Sequence, residues 1–172
     1  MTLLYLVRHA KSSWDDLALA DRDRPLSARG ERSAATLAEY LEVSFEGGAP
    51  RPGLVLCSPA RRTLDTLETL RPVLGSATIA VEEELYGATS GELLRRLRRI
   101  PGKTSAAMVI GHNPALQELA IMLARASDDL RRLHEKFPTG ALAALRTHGA
   151  WKELGAEPAE LEDFVAPREM QD

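Results

Sequence analysis

Two histidines and an arginine follow directly on apolar segments that predict buried strands. Arg8 and His9 come after the apolar run at residues 3–7, and His112 follows a second run at residues 106–110. The planar guanidinium fork matches phosphate oxygens, and a neutral imidazole nitrogen can attack phosphorus and carry the group as phosphohistidine. We therefore interpret His9 as a nucleophile in an anion site, with His112 donating to the phosphoryl oxygens as charge builds on them.

A third predicted strand, residues 54–57, is followed by Ser58 and by the adjacent Arg61 and Arg62. In a parallel sheet the carboxyl ends of the strands meet at one edge, where binding sites form. We therefore expect these arginines on the same edge as the two histidines. Either histidine alone would be interpreted as an ordinary loop or capping residue. Because both follow a buried strand beside phosphate-type partners, the pair favours a functional interpretation.

The elements that must position these residues alternate between apolar runs and amphipathic segments. Strands are predicted at residues 3–7, 54–57, 78–81, 106–110 and 141–145, with a sixth at 151–154. Helices are predicted to begin at Ser27, Ser58, a Thr89 capping box, Asn113 and Asp128. This alternation predicts an α/β fold with a mostly parallel sheet covered on both faces. At about 150 residues per domain, a chain of 172 residues predicts one domain spanning 1–172.

Composition narrows the classes of function. A net charge of −3 and an aromatic content of 5% argue against a nucleic-acid partner, since neither a basic field nor a stacking platform is present. The lone Cys57 excludes an intramolecular disulfide framework and a cysteine-based zinc finger. No apolar run approaches the ~20 residues of a membrane span, and the N-terminus lacks the features of a signal peptide. We expect a cytoplasmic protein without a membrane partner.

Two other phosphatase chemistries and a metal site are weighed and rejected. Cys57 and Arg62 are one residue too close for a Cys-x5-Arg phosphatase loop, so we interpret Cys57 as a buried strand-end residue. The Asp-Arg-Asp-Arg-Pro segment at 21–25 lacks the apolar strand that precedes an aspartyl-phosphate nucleophile. His134 and His148 have no partners at metal-ligand spacing, and we expect no metal.

Arginines are concentrated in the predicted helix that follows Thr89. They are Arg95, Arg96, Arg98 and Arg99. We interpret them as a solvated helix face, and the alternative is a docking surface for an acidic partner. The segment from residue 137 onward carries the opposite, acidic balance. The sequence predicts no role for that acidic segment.

Five segments together resemble the histidine phosphatase superfamily, and more closely its small SixA-like phosphohistidine phosphatase branch. They are Leu-Val-Arg-His-Ala-Lys-Ser at 6–12, Asp-Arg-Asp-Arg-Pro-Leu-Ser at 21–27, Ser-Pro-Ala-Arg at 58–61, Gly-His-Asn-Pro at 111–114 and Phe-Pro-Thr-Gly at 137–140. They occur in order, and the resemblance extends to about Arg168. It implies a three-layer α/β/α fold of the phosphoglycerate mutase type and a phosphatase that uses neither a metal nor a cofactor.

The resemblance also implies roles for particular residues. The nucleophile would be His9. The groups that bind the phosphoryl group would be Arg8, Arg61 and His112, with Arg24 as a helper.

Two departures from the superfamily pattern concern Ala10 and the proton donor. The superfamily motif usually has glycine at the position of Ala10, a change that the SixA-like branch tolerates. The mutase branch takes its proton donor, a glutamate, from an inserted segment for which this chain has no room. Asp21 matches an acidic position of the SixA-like pattern and is the first candidate, and Glu84 is the second. The alternative for both is an ordinary surface carboxylate.

The missing insertion also bears on the substrate. Without a lid the pocket should be open and shallow, which suits a phosphorylated side chain on a folded protein. A P–N bond is labile, and its cleavage depends less on a general acid than the cleavage of an alkyl phosphate does. We therefore expect phosphohistidine on a protein partner as substrate and inorganic phosphate as product. The alternatives are a small phosphate ester as substrate and a non-catalytic phosphate-binding module.

Overall fold

A six-stranded mixed sheet lies between two layers of helices. The structure is a computed structural model that describes residues 1–171. The strands are β1 (Thr2–Arg8), β2 (Leu54–Cys57), β3 (Thr78–Val81), β4 (Ala106–Gly111), β5 (Leu142–Thr147) and β6 (Glu160–Val165). The helices are α1 (Ala28–Glu46), α2 (Arg61–Leu70), α3 (Ser90–Leu97), α4 (Ala115–Leu123) and α5 (Asp128–Glu135).

The strand order is β3-β2-β4-β1-β5-β6. The first four of these strands are parallel neighbours, whereas β5 is antiparallel to β1 and β6 is antiparallel to β5. The predicted mostly parallel sheet is therefore confirmed. In the register of β1 with β4, Arg8 aligns with Gly111. The residues that follow these two strands, His9 and His112, consequently leave the sheet side by side.

The central strand β1 is apolar on both of its faces. Leu4 and Leu6 belong to a core shared with α3, α4 and α5. Tyr5 and Val7 belong to a second core, on the other face, shared with α1 and α2. Successive side chains of a strand point to opposite faces, so a strand between two helical layers must be apolar throughout. This arrangement is the three-layer α/β/α fold that the resemblance implies.

The sixth strand lies at Glu160–Val165, and the prediction of a strand at 151–154 is corrected. Residues Trp151–Glu153 form a 3-10 turn instead. The buried Trp151 side chain donates its indole N–H to the carbonyl oxygen of Thr104 at 2.6 Å, so its burial reflects packing and not a strand. The acidic composition of β6 concealed it, because the exposed side of an edge strand can carry charges.

Two helices begin later than predicted because their expected caps take other roles. Ala60 is the N-cap of α2 and Pro114 is the N-cap of α4, in place of Ser58 and Asn113. The Ser58 hydroxyl instead contacts a ring nitrogen of His112. The Asn113 side-chain amide donates to the carbonyl oxygen of Phe137 and to the side-chain oxygen of Gln117.

Other predicted boundaries are confirmed. Thr89 and Glu92 form the capping box at the start of α3, and α5 begins at Asp128. Among residues 1–171, no helix combines the length and the apolar character that crossing a membrane requires.

The chain just beyond β1 is fixed by a close backbone approach to α1. The backbone N–H and the hydroxyl of Ser27 both donate to the carbonyl oxygen of Lys11, at 2.9 and 3.1 Å. The same hydroxyl caps α1 by accepting the N–H of Gly30 at 3.1 Å. A Cβ at residue 30 would lie 2.0 Å from the Lys11 oxygen, so only glycine fits there. The start of α1 therefore sets the path of the loop that follows His9.

We expect Gly30→Ala to lower the free energy of unfolding by roughly 1–3 kcal/mol, the usual cost of overpacking. The matched control is Gly91→Ala in α3, where a Cβ would meet nothing within 4 Å and alanine favours the helix. Urea denaturation of both variants measures the difference. A Gly30→Ala protein as stable as the wild type would contradict the close approach.

Candidate active site

His9 and His112 lie at the carboxyl edge of the sheet with 5.3 Å between their ring centroids. They face an open cleft of about 540 Å³. The cleft is lined by charged and aromatic side chains that are distant in sequence. Among them are Arg8, Lys11, Trp14, Asp21, Arg24, Arg62 and Tyr86. The predicted convergence of two imidazoles with arginines at one edge is what the structure contains.

The ring of His9 is oriented by the backbone of the next residue. Its Nδ1 atom lies 2.7 Å from the carbonyl oxygen of Ala10. A carbonyl oxygen only accepts, so Nδ1 carries the proton and Nε2 keeps its lone pair. Burial lowers the pKa of His9 to about 3, although the bond to Ala10 acts in the opposite direction. His9 is therefore neutral at neutral pH, with its nucleophilic nitrogen unprotonated.

His112 is also held as a neutral ring. Its Nε2 atom lies 2.7 Å from the Ser58 hydroxyl, and its Nδ1 atom lies 3.5 Å from an Nη of Arg62. A guanidinium only donates, so Nδ1 accepts and the ring proton is on Nε2. Burial, and then the charge of Arg62, lower the pKa of His112 to about 4. His112 is therefore neutral at neutral pH.

Asp21 holds two of the arginines. Its carboxylate accepts from Arg62 and from Arg24, each at 3.1 Å, and from the Tyr86 hydroxyl at 2.7 Å. The Tyr86 bond, with those of the arginines, lowers the pKa of Asp21 to about 2. Asp21 lies in the cleft as predicted, and its three bonds favour the ionised carboxylate. Its role as the proton donor stays a prediction.

Arg61 does not line the cleft, and Arg62 takes the position expected of it. The Arg61 side chain is exposed and pairs with Asp65 at 2.7 Å. The buried face of α2 contains Arg62 and Thr66, one helical turn apart, so the residue before Arg62 turns toward solvent. In the sequence, the spacing of Arg62 and Thr66 by one helical turn is the signal that identifies Arg62 as the arginine on the buried face.

Thr66 links α2 to the loop that carries His9. Its hydroxyl donates to the carbonyl oxygen of Arg62 at 2.8 Å and accepts the N–H of Ala10 at 3.1 Å. Ala10 is fully buried, and no residue other than glycine has a positive φ within the described chain. The usual glycine is therefore not needed at Ala10 for backbone conformation.

Glu84, the second candidate for a proton donor, lies outside the cleft. It lines a neighbouring groove together with Glu82 and Glu92. Tyr86, two residues further along, is the side chain that reaches the cleft and bonds Asp21. The sequence near Glu84 thus contributes to the site, but through an aromatic hydroxyl that sequence reasoning missed.

Arg8 and Arg24 lie in the cleft as predicted. Arg8 donates to the carbonyl oxygen of Phe137 at 2.8 Å. Arg24 donates to the Ser12 hydroxyl at 2.8 Å, and its guanidinium stacks on Trp14 with 3.6 Å to the ring centroid. Both arginines are therefore held in place before any ligand binds.

The cleft has an excess of positive charge. Its charged lining consists of one carboxylate and four cations, Arg8, Lys11, Arg24 and Arg62. The Nε–H groups of the three arginines are buried without a partner in residues 1–171. Buried donors are normally hydrogen-bonded, so the donor set of the cleft is suited to an anion with several oxygens.

Cys57 is buried as predicted, at the end of β2. Burial raises the pKa of its thiol to about 12. A protonated, inaccessible thiol does not act as a nucleophile. No group of three or more histidine, cysteine or carboxylate side chains within residues 1–171 is arranged to hold a metal ion.

The chain belongs to the histidine phosphatase superfamily (branch 1), whose family model matches residues 4–157. An uncharacterized protein of Mycobacterium tuberculosis is 36% identical in an alignment of 166 residues that covers 94% of this chain and 100% of that protein. The match to the family model identifies the chain as a phosphatase of this superfamily.

Solved structures place the chain with the SixA-like phosphohistidine phosphatases. A Nakamurella multipartitia protein that carries the SixA name has a TM-score of 0.83 and 32% identity, with 96% of each chain covered. An Agrobacterium tumefaciens protein of the same name has a TM-score of 0.79 and 30% identity, covering 96% of this chain and 98% of its own. The predicted phosphoglycerate mutase-like fold is confirmed by these matches.

We expect Arg62→Ala to lower kcat/KM for 4-nitrophenyl phosphate by roughly 100-fold or more, the usual loss when a donor to developing charge is removed. Arg61→Ala is the matched control and should stay within about threefold of wild type, since an exposed ion pair is worth little. Steady-state kinetics, with circular dichroism to verify folding, measure both. Equal losses in the two variants would contradict the placement of these side chains.

We also expect acid to destabilise the protein through His9 and His112. Between pH 6.5 and the folded pKa values of about 3 and about 4, the unfolded chain binds more protons than the folded one, so stability falls as pH falls. From pH 7 to pH 5 each ring accounts for roughly 2 kcal/mol of this loss. Urea denaturation in phosphate-free buffer at both pH values measures it.

Removing one buried ring tests the assignment. His112→Asn should shrink the difference in stability between pH 7 and pH 5, whereas His134→Asn, at an exposed position, should leave it unchanged. A pH dependence that both variants retain in full would show that the buried rings do not cause it.

Proposed function

We propose that this phosphatase removes the phosphoryl group from phosphohistidine on a protein partner, and that the group passes through Nε2 of His9. The observation that carries the proposal is the state of His9. Its Nδ1–H is held by the Ala10 carbonyl oxygen, its pKa is about 3, and its Nε2 lone pair is free beside an anion cleft. Neutral imidazole is the form that attacks phosphorus.

In the first step, the Nε2 lone pair of His9 forms a bond to phosphorus while the P–N bond of the substrate breaks. The electron pair of that bond returns to the substrate ring, which leaves as neutral imidazole when its other nitrogen carries a proton. The positive charge on the phosphorylated His9 ring is stabilised through the Nδ1–H bond to Ala10. Arg8, Arg24 and Arg62 bind the phosphoryl oxygens as their charge develops.

In the second step, water attacks phosphorus and the bond to His9 breaks. Its electron pair returns to Nε2, and both hydrogens of the water leave with inorganic phosphate. Each step therefore balances without a proton from the protein. The guanidinium groups supply the charge neutralisation that a metal ion supplies in other phosphatases. We therefore propose a reaction that is independent of metal and of any cofactor.

A P–N substrate suits a cleft in which the carboxylic acid is ionised. Asp21 is the sole carboxylic acid lining the cleft within residues 1–171, and its pKa is about 2. An alkoxide leaving group needs a proton from a general acid, whereas an imidazole does not. This contrast favours phosphohistidine over the ester of a small metabolite. Asp21 is then a positioning residue for Arg24 and Arg62.

The open rim of the cleft supports a protein as the carrier of the phosphohistidine. Trp14 stands on the rim and is 61% exposed while it stacks on Arg24. A folded partner can approach such a cleft, which a closed lid would prevent. A protonated, cationic ring would bind phosphate more tightly than a neutral one. The neutral state of His9 therefore favours an enzyme over a module that only binds phosphate.

We expect rapid acid or base quench after mixing with a 32P-labelled phosphohistidine protein to trap a phosphoenzyme that is stable in base and labile in acid. Phosphohistidine has this stability profile, and phosphoserine does not. His9→Ala should abolish both the adduct and turnover while still binding phosphate weakly. A chelator should leave the rate unchanged.

The same assay with a panel of phosphomonoesters identifies the substrate class. The proposal predicts turnover of phosphohistidine protein and of aryl phosphates, whose leaving groups need little protonation, and poor turnover of alkyl phosphates. An acid-stable adduct, a rate lost to chelator, or near-normal rates in His9→Ala would refute the mechanism. Efficient turnover of an alkyl phosphate alone would favour the small-ester alternative.

A further inference from the structure

A basic groove adjoins the cleft of His9. We define the basic groove by the side chains of Lys11, Arg29, Lys136 and Arg168, which line it with a volume of about 390 Å³. It shares Arg8, Lys11 and Thr139 with the cleft. A ligand seated on His9 therefore has its neighbouring atoms within reach of the basic groove.

Apart from Arg8, which also lines the groove and donates to the carbonyl oxygen of Phe137, the cations of the basic groove are unpaired. Within residues 1–171, none of their four side chains forms an ion pair or hydrogen bond, and no carboxylate lines the basic groove. Arg132 on the neighbouring helix α5 is different, because it is bonded to Asp129 and to Glu169. The basic groove thus concentrates positive charge on a protein whose net charge is −3.

We infer that the basic groove binds an acidic segment of the phosphorylated protein partner, adjacent to its phosphohistidine. The inference rests on the proposed function and names which partners the site accepts. Opposite charges across an interface speed association and exclude partners of the wrong charge. The basic groove therefore selects among phosphohistidine proteins by the charge beside the modified residue.

The structure of the basic groove favours protein carboxylates over a small anion. Its four cations are exposed and come from four separate segments of the chain. In the cleft, by contrast, Arg24 and Arg62 are buried and bonded to Asp21, as a site for one small anion requires. Exposed, unbonded cations suit a broad and solvated acidic surface.

Nucleic acid is a poorer occupant of the basic groove. Proteins that bind single strands combine cations with aromatic side chains on which bases stack. No aromatic side chain within residues 1–171 lines the basic groove.

The arginine-rich helix α3 does not offer the same surface. Arg96 pairs with Glu82 at 2.7 Å. Arg95 and Arg99 line a groove that also contains Glu84 and other glutamates. Glutamates therefore lie beside the arginines that were weighed as an alternative docking surface.

The test uses the full chain and two synthetic peptides with one phosphohistidine each, flanked by four glutamates or by four glutamines. We expect the wild type to hydrolyse the glutamate peptide with a kcat/KM roughly tenfold above that for the glutamine peptide, as expected for electrostatic steering. The triple variant of the basic groove should lose this preference. It carries Arg29→Glu, Lys136→Glu and Arg168→Glu, none of which lines the His9 cleft.

A second triple variant controls for net charge. Lys103→Glu, Arg125→Glu and Lys152→Glu make the same change in charge at exposed positions, and none of the three lines the cleft or the basic groove. The control should keep the preference for the glutamate peptide. Both variants should hydrolyse 4-nitrophenyl phosphate within about threefold of wild type, because rim charges contribute little to a site they do not contact. Equal preference in all three proteins would overturn the inference.

Inhibition separates this inference from the proposed function. The glutamate peptide with unmodified histidine should inhibit hydrolysis of 4-nitrophenyl phosphate by the wild type and the control, but not by the triple variant of the basic groove. If this inhibition is seen but neither phosphohistidine peptide is hydrolysed, phosphohistidine is not the substrate, while the basic groove still binds an acidic segment. Absence of inhibition, or stronger inhibition by an oligonucleotide of equal charge, would overturn the acidic protein partner.

Discussion

The parallel pairing of β1 with β4 is the constraint on which the site depends. Its register aligns Arg8 with Gly111, and it thereby brings His9 and His112 together although 103 residues separate them in the sequence. Both strands are buried on two faces, so two hydrophobic cores hold the register. That burial also removes water from the two rings and keeps them neutral. The packing that stabilises the fold therefore also sets the protonation state of the proposed nucleophile.

Positive charge in the cleft is organised around Asp21. This carboxylate accepts from Arg24 and Arg62, and Tyr86 adds a third bond. The same bonds that fix the guanidinium groups keep the carboxyl ionised. We propose that a carboxylate used in this way positions cations and does not act as the acid. The proposed chemistry is transfer from a leaving group that needs no proton, and the P–N bond of phosphohistidine is such a substrate.

Much of the site follows from the sequence, because strand ends are predictable. Arg8, His9 and His112 each lie at or directly beyond a buried apolar run that predicts a strand. Arg61 was expected from the Ser-Pro-Ala-Arg resemblance, whereas the helical spacing of Arg62 and Thr66 places Arg62 on the buried face of α2. The ionised state of Asp21 depends on a tyrosine 65 residues away. Side chains that pair across such distances along the chain produce no local pattern in the sequence.

The central claim is that the ring of His9 is neutral with its proton on Nδ1. Long-range 1H–15N NMR of the histidine rings, in phosphate-free buffer between pH 7.5 and 5, measures this directly. We expect Nε2 of His9 to show the chemical shift of an unprotonated nitrogen throughout this range. A proton on Nε2 at neutral pH, or titration of the ring near pH 6.5, would contradict it.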